Sequence, residues 1–223
     1  MDKLIEKLSS YEIFAYFMPG LLFTSFLSFF LNNKTTVIGD FLFKHNLFLN
    51  ILVFLILSYV LGLAIHELSE LLQIIYNKIC GGFPSQRYFN DKSFLSIKEK
   101  LFYAKIASEK FGIKLNSDSD KKNNSDLFFQ NVRAILQLNN LLKDIEIFNH
   151  NYGLCRSLSA LCLLMFILLL NSTWLIHTDV NWYLVSTSII LFIIFLRRTI
   201  RFGETYVKKV LRLGCQVIMK ENK

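Results

Sequence analysis

Two short polar groups hold most of the residues able to do chemistry: His66-Glu67-Leu68-Ser69-Glu70, and Asn149-His150-Asn151-Tyr152 followed by Arg156-Ser157. The first begins like H-E-x-x-H, in which two histidines one helical turn apart bind zinc and the glutamate acts as base. Glu70 stands where the second histidine belongs, so a metal would need a further ligand and none is expected. A polar collar at the end of an apolar helix explains the same residues, with His66 and Glu70 one turn apart and able to pair with cations of the insertion or the tail. In the second group an imidazole could sense pH or join a hydrogen-bond network, while Tyr and Arg are ordinary interfacial anchors. His66, Glu67, Glu70, His150, Tyr152 and Arg156 together make the candidate gate or partner-binding site.

No catalytic pattern accompanies them. A HEPN-type ribonuclease would place a histidine shortly after an arginine. That window holds Lys92, Ser93 and Phe94 after Arg87, Leu138, Asn139 and Asn140 after Arg133, and Leu161, Cys162 and Leu163 after Arg156. Phosphate loops, nucleophile elbows and dinucleotide fingerprints are missing as well. The chain is read as a non-enzyme without cofactor or metal. Cys80, Cys155, Cys162 and Cys215 show no C-x-x-C spacing and are expected to be reduced, small, buried side chains.

Four stretches must position these groups: Ile13 to Asn33, Asn46 to Ile65, Ser157 to Thr178 and Val180 to Leu196 contain no Asp, Glu, Lys or Arg. About 20 apolar residues cross a bilayer as a helix, and these runs lack the alternation of barrel strands. With 53% hydrophobic residues the chain has too little polar surface for a soluble globule, so the expected fold is an all-α integral membrane protein with four transmembrane helices. Cations set the orientation. The loop between spans three and four has none through His177, and the first loop has only Lys34 and Lys44. The tail from Arg197 to Lys223 has eight against two acids. Both termini are therefore placed in the cytoplasm of a bacterium, at its inner membrane. The organisation expected is residues 1–66 (interfacial helix and spans 1–2), 67–155 (cytoplasmic helical insertion), 156–196 (spans 3–4) and 197–223 (basic amphipathic tail helix).

Within that frame Met1 to Ser10 is read as an interfacial helix, with Ser10 capping the first span and Pro19-Gly20 kinking it. The second helix continues past Gly62 to Tyr76 and stops at Gly81-Gly82-Phe83-Pro84. Helical periodicity returns over Ser93 to Ile113. Leu115 to Ser125, rich in Asn, Ser, Asp and Lys, reads as a loop. Phe128, Val132, Ile135, Leu138, Leu142 and Ile145 then predict one helix running into span three. Pro19, Gly20, Ser25, Ser28, Ser58 and Gly62 are the candidates for pore lining or helix packing, because small residues let helices approach within one bundle or between copies. Arg197, Arg198, Arg201, Lys208, Lys209 and Arg212 are candidates for anionic lipid or an anionic partner, with direct nucleic-acid binding not expected.

The layout resembles the small four-span accessory membrane proteins found beside type VI-B CRISPR RNA-guided effectors. Tyr11-Glu12-Ile13-Phe14 with Pro19-Gly20, the exit through Gly62 and His66, the helical insertion, Tyr152 with Arg156 and the basic tail carry the resemblance. It implies an effector or modulator of antiviral defence: a homo-oligomeric membrane pore gated by its cytoplasmic helices. The alternative is a non-conducting scaffold or regulator that binds a soluble, RNA-guided defence nuclease.

Overall fold

The computed structural model describes residues 13–32, 47–79, 81–89, 95–115, 121–171 and 181–220. Of these residues 90% are helical and none is in a strand, so the chain is all-α over the described residues. A π-helical turn, Ile13–Phe17, is followed by α1 (Met18–Asn32), α2 (Leu47–Ile79), α3 (Pro84–Arg87), α4 (Ile97–Phe111), α5 (Lys121–Leu138), α6 (Lys143–Leu170) and α7 (Trp182–Lys220). Among them α2, α6 and α7 contain stretches long and apolar enough to cross a membrane, and α1 contributes a shorter apolar helix. The helix read at Met1 to Ser10, its cap, Lys34, Lys44, Cys80 and His177 lie outside the described residues.

The chain divides into two compact units. The first comprises Met1–Gln73 and His150–Thr199. Its core is Phe23, Ile65, Ala160 and Leu161, packed with Leu61, Leu72, Leu164 and Met165, so that α1, α2 and α6 share one apolar centre. Away from that centre the surface stays apolar: Phe48, Ile51, Ile56 and Val60 on α2 and Ile190 and Ile193 on α7 are each more than half exposed. Patches of that kind do not persist against water on a monomer, and a lipid environment accounts for them.

Pro19 sets the shape of the first helix. Its ring nitrogen cannot donate to the Ala15 carbonyl, and its ring crowds that same oxygen. The turn before it widens to π-helix over Ile13–Phe17, which is where the expected irregularity appears. Two glycines then bring backbones together. A Cβ on Gly20 would meet the Ser58 carbonyl oxygen and lie 2.8 Å from the Gly62 nitrogen, and one on Gly62 would meet the Tyr16 carbonyl oxygen. Ser58, fully buried, returns its hydroxyl to the Phe54 carbonyl at 2.7 Å. Of the two contacts open to these small residues, packing within one chain is therefore made.

The second unit, Ile74–Asn149 with Ile200–Lys223, holds a larger core. Tyr88, Phe128, Val132 and Leu136 pack with Val207, Val210, Leu211 and Cys215, so the insertion and the tail share one interior. Its local signals are explicit. Ser96 caps α4 in a reciprocal capping box with Glu99, whose carboxylate accepts from the Ser96 backbone at 2.9 Å, and these bonds hold the Glu99 pKa below its usual range. Gly112 ends α4 in the left-handed region at φ 66°. Burial in this core pushes the Cys215 thiol up to about 12, leaving it protonated and unreactive.

Two expectations fail here. The loop read over Leu115 to Ser125 is narrower, because Leu115 is buried in the core and α5 already starts at Lys121. Only residues 116–120 stay outside the described set. The single helix read from Phe128 to Ile145 breaks at Asn139 and Asn140. Asn140 adopts φ 56°, the Asn139 side chain donates to the Ile135 carbonyl at 3.1 Å, and Leu141 N–H reaches Leu136 at 2.9 Å. Asparagine tolerates that conformation and competes for backbone bonds, while Leu142 and Ile145 still reach the core beyond the break.

At Gly214 a Cβ would strike the Val132 side chain and stand 3.3 Å from its carbonyl oxygen. Gly214→Ala is expected to cost about 1–3 kcal/mol of unfolding free energy by overpacking. Adding Val132→Ala should recover part of that loss, so a double-mutant cycle in chemical denaturation reads non-additivity; purely additive costs would refute the contact.

Candidate functional site

His66, Glu70 and Gln73 recur at i, i+4 and i+7 on α2, and this spacing brings them to one face. Arg156, near the start of the apolar part of α6, reaches across to all three. One terminal nitrogen, Nη2, lies 2.7 Å from His66 Nε2 and donates to Glu70 Oε1 at 3.1 Å; the other, Nη1, donates to Gln73 Oε1 at 2.7 Å. His66 Nδ1 stands 3.2 Å from the Ser157 hydroxyl. Tyr152 lies beside Arg156, its ring centroid 5.9 Å from the guanidinium carbon, and Tyr16 meets the His66 ring edge-on at 4.4 Å. Arg156 and His66 are 9% and 5% exposed, so both sit away from solvent.

The tautomer follows from the donors. A guanidinium can only donate, so Nε2 must carry the lone pair and Nδ1 the proton offered to Ser157. Neutral His66 is also what burial demands: desolvation first, and then the Arg156 charge, push its pKa down to about 4, against the opposing pull of Glu70. The one permanent cation, Arg156, is balanced by Glu70, which is half exposed and ion-paired to it at 3.1 Å.

This arrangement has a pH signature. The unfolded histidine takes up its proton near 6.5 and the folded one only near 4, so the unfolded state binds more protons between those values. Stability is expected to fall as the pH drops through that window, by at most about 3 kcal/mol, and to level off below it. Melting of the wild type and of His66→Gln from pH 7.5 to pH 4 checks this. An equally steep slope in the variant would assign the effect to another group.

Of the six candidates His66, Glu70, Tyr152 and Arg156 converge. Glu67 is exposed, one residue round the helix from the shared face, and His150 is half-buried on α6 six residues before Arg156. The partner expected for His66 and Glu70 from the insertion or the tail is instead Arg156, at the junction with the third apolar run. Gln73 and Tyr16 were missed by sequence reasoning. Gln73 was legible from its spacing to His66 and Glu70, whereas nothing in the sequence brings Tyr16 to His66. Its approach depends on the backbone contact at Gly62, one turn before His66.

Pro19, Gly20, Ser58 and Gly62 form a second locus, the helix crossing described above, with Ser25 exposed and Ser28 half-buried. Arg197, Arg198, Arg201, Lys208, Lys209 and Arg212 are all exposed on α7. The apolar stripe behind the last four, Val207, Val210, Leu211 and Ile218, is covered by protein. Five hydroxyls on the apolar helices turn back on their own backbones: Thr24 to Gly20, Ser159 to Arg156, Ser186 and Thr187 to Tyr183, and Ser188 to Leu184. Comparison of the chain with protein-family models, with curated proteins and with solved structures gave no match.

Proposed function

We propose that the chain is an integral membrane protein of the bacterial inner membrane, with four spans, cytoplasmic termini and a cytoplasmic helical domain, acting as a membrane-bound modulator of antiviral defence. The observation that carries the membrane part is the broad exposed apolar surface of α2 and α7, which only lipid or further copies can cover. The defence role rests on the resemblance, read from the sequence, of this layout to that of small four-span accessory proteins. In this reading the Arg156 cluster ties the second span to the third at the cytoplasmic boundary. The helical domain meets a soluble partner such as a defence nuclease.

Between the two modes, the bookkeeping of polar groups favours a non-conducting regulator for the single chain. The span hydroxyls spend their protons on their own helix carbonyls and so have none to offer an anion, and Gly20, Ser58 and Gly62 are taken up by the helix crossing within one chain. The second reading, a homo-oligomeric pore, draws on Ser25, Ser186 and Thr187, whose side chains stay exposed and could line a channel between copies.

Expression in bacteria carrying a membrane-potential dye, with affinity capture from detergent, decides between them. Unchanged polarisation together with a stoichiometric soluble partner supports the regulator. Depolarisation with an oligomeric particle supports the pore. Labelling of single cysteines placed in the helical domain tests the topology, and labelling from the outer face would overturn it.

A further inference from the structure

The formal charge of +8 is confined to one unit. Residues 74–149 and 200–223 hold 18 Lys/Arg against 10 Asp/Glu, and the rest of the chain balances at seven of each. Within that unit the exposed residues of α7 between positions 201 and 216 are Arg201, Lys208, Lys209, Arg212 and Gln216, with no apolar side chain among them. Arg201, Lys208 and Arg212 are spaced by seven and four residues, which on a helix puts them in one row. Two acids are near. Glu204 is ion-paired with Arg87 at 2.9 Å, and Glu99 is close enough to Lys208 and Arg212 for their charges to lower its pKa. Lys209 lies over the Phe148 ring at 4.1 Å, which fixes its stem beside the row.

We propose that this row binds the phosphate backbone of a nucleic-acid duplex without regard to sequence. The inference rests on the proposed cytoplasmic placement of the domain. A helix that lies on lipid does so by burying its apolar face among acyl chains, and here that face is already in the protein core. An acidic protein would need apolar or aromatic anchors beside the charges; between positions 201 and 216 α7 exposes none, and Met219, seven residues past Arg212, is the first exposed apolar side chain after them. Arg, Lys and Gln side chains are what contacts phosphate and sugar. No exposed aromatic interrupts the row to stack unpaired bases, so duplex is preferred over single strand.

The test uses the full-length protein in nanodiscs of phosphatidylcholine alone and a short labelled duplex RNA, read by fluorescence anisotropy across a salt series. Binding should weaken with a log–log salt slope of about −3.6, corresponding to roughly four neutralised phosphates. The combined variant Arg201→Gln, Lys208→Gln, Lys209→Gln, Arg212→Gln should bind at least about tenfold more weakly with a flatter slope. Glu99→Gln, which keeps the helix cap and removes the facing acid, should bind more tightly. Lys98→Gln with Lys105→Gln, on another face, should change little. Undetected binding, or equal binding by the fourfold variant, overturns the proposal, as does a fourfold variant whose only loss is co-sedimentation with phosphatidylglycerol vesicles. If binding fails while cysteine labels still place the domain in the cytoplasm, only this inference falls; if the labels report the outer face, both do.

Discussion

Arg156→Met is expected to lower the unfolding free energy by about 2–4 kcal/mol and, for a chain of this size, the melting temperature in detergent by about 5–10 °C. The loss comes from the groups left behind. His66 Nε2 is buried and would lose its 2.7 Å donor, and the Gln73 carbonyl would lose its 2.7 Å partner. Glu70, half exposed, can turn to water, which keeps the cost below that of a fully buried broken ion pair. Arg156→Lys should recover only part, because one ammonium cannot serve partners that need two forked nitrogens. Replacing His66, Glu70 and Arg156 together by apolar residues should restore much of the stability. If the triple variant melts as low as Arg156→Met, the guanidinium stabilises through its packing and not through this network.

Gly62→Val should be at least as damaging, with a cost at or above the roughly 3 kcal/mol upper end usual for overpacking. The obstacle is the Tyr16 carbonyl, a backbone atom that no rotamer change can move aside. The helices would have to separate, taking Tyr16 off His66. Gly62→Ala already introduces the offending carbon and should destabilise measurably. Ala64→Leu, two residues on and exposed, should stay within about 0.5 kcal/mol. Thermal melting in one detergent compares all three. Equal stability of Gly62→Val and wild type would mean that the two helices do not cross at this point.

The Arg156 cluster explains why its members read as a mouth in the sequence yet behave as a clasp in the fold. Polar residues adjoining an apolar run are ambiguous by type alone. His66 and Glu70 could have faced water, a substrate or a partner, and the choice depends on whether an opposite donor arrives. Arg156 does arrive, because α2 and α6 pack through Ile65, Ala160 and Leu161 and carry the two polar ends to the same level.

Long charge-free runs, Gly112 at a helix end and the apolar stripe of the tail were all legible, since each depends on residues within a turn or two of one another; the capping pair Ser96 and Glu99 was missed, the helix being read from Ser93. The helical class was legible too, because backbone hydrogen bonding imposes it on any chain with runs so apolar. What covers the tail stripe was not legible. Periodicity states that a face must be buried but is silent about whether lipid or protein buries it, and only the shared core with Phe128 and Val132 decides for protein. The break at Asn140 and the approach of Tyr16 to His66 were likewise out of reach, the first because a short polar turn between apolar stripes mimics one helix, the second because a glycine's neighbour across a bundle is set by packing and leaves no trace in local spacing.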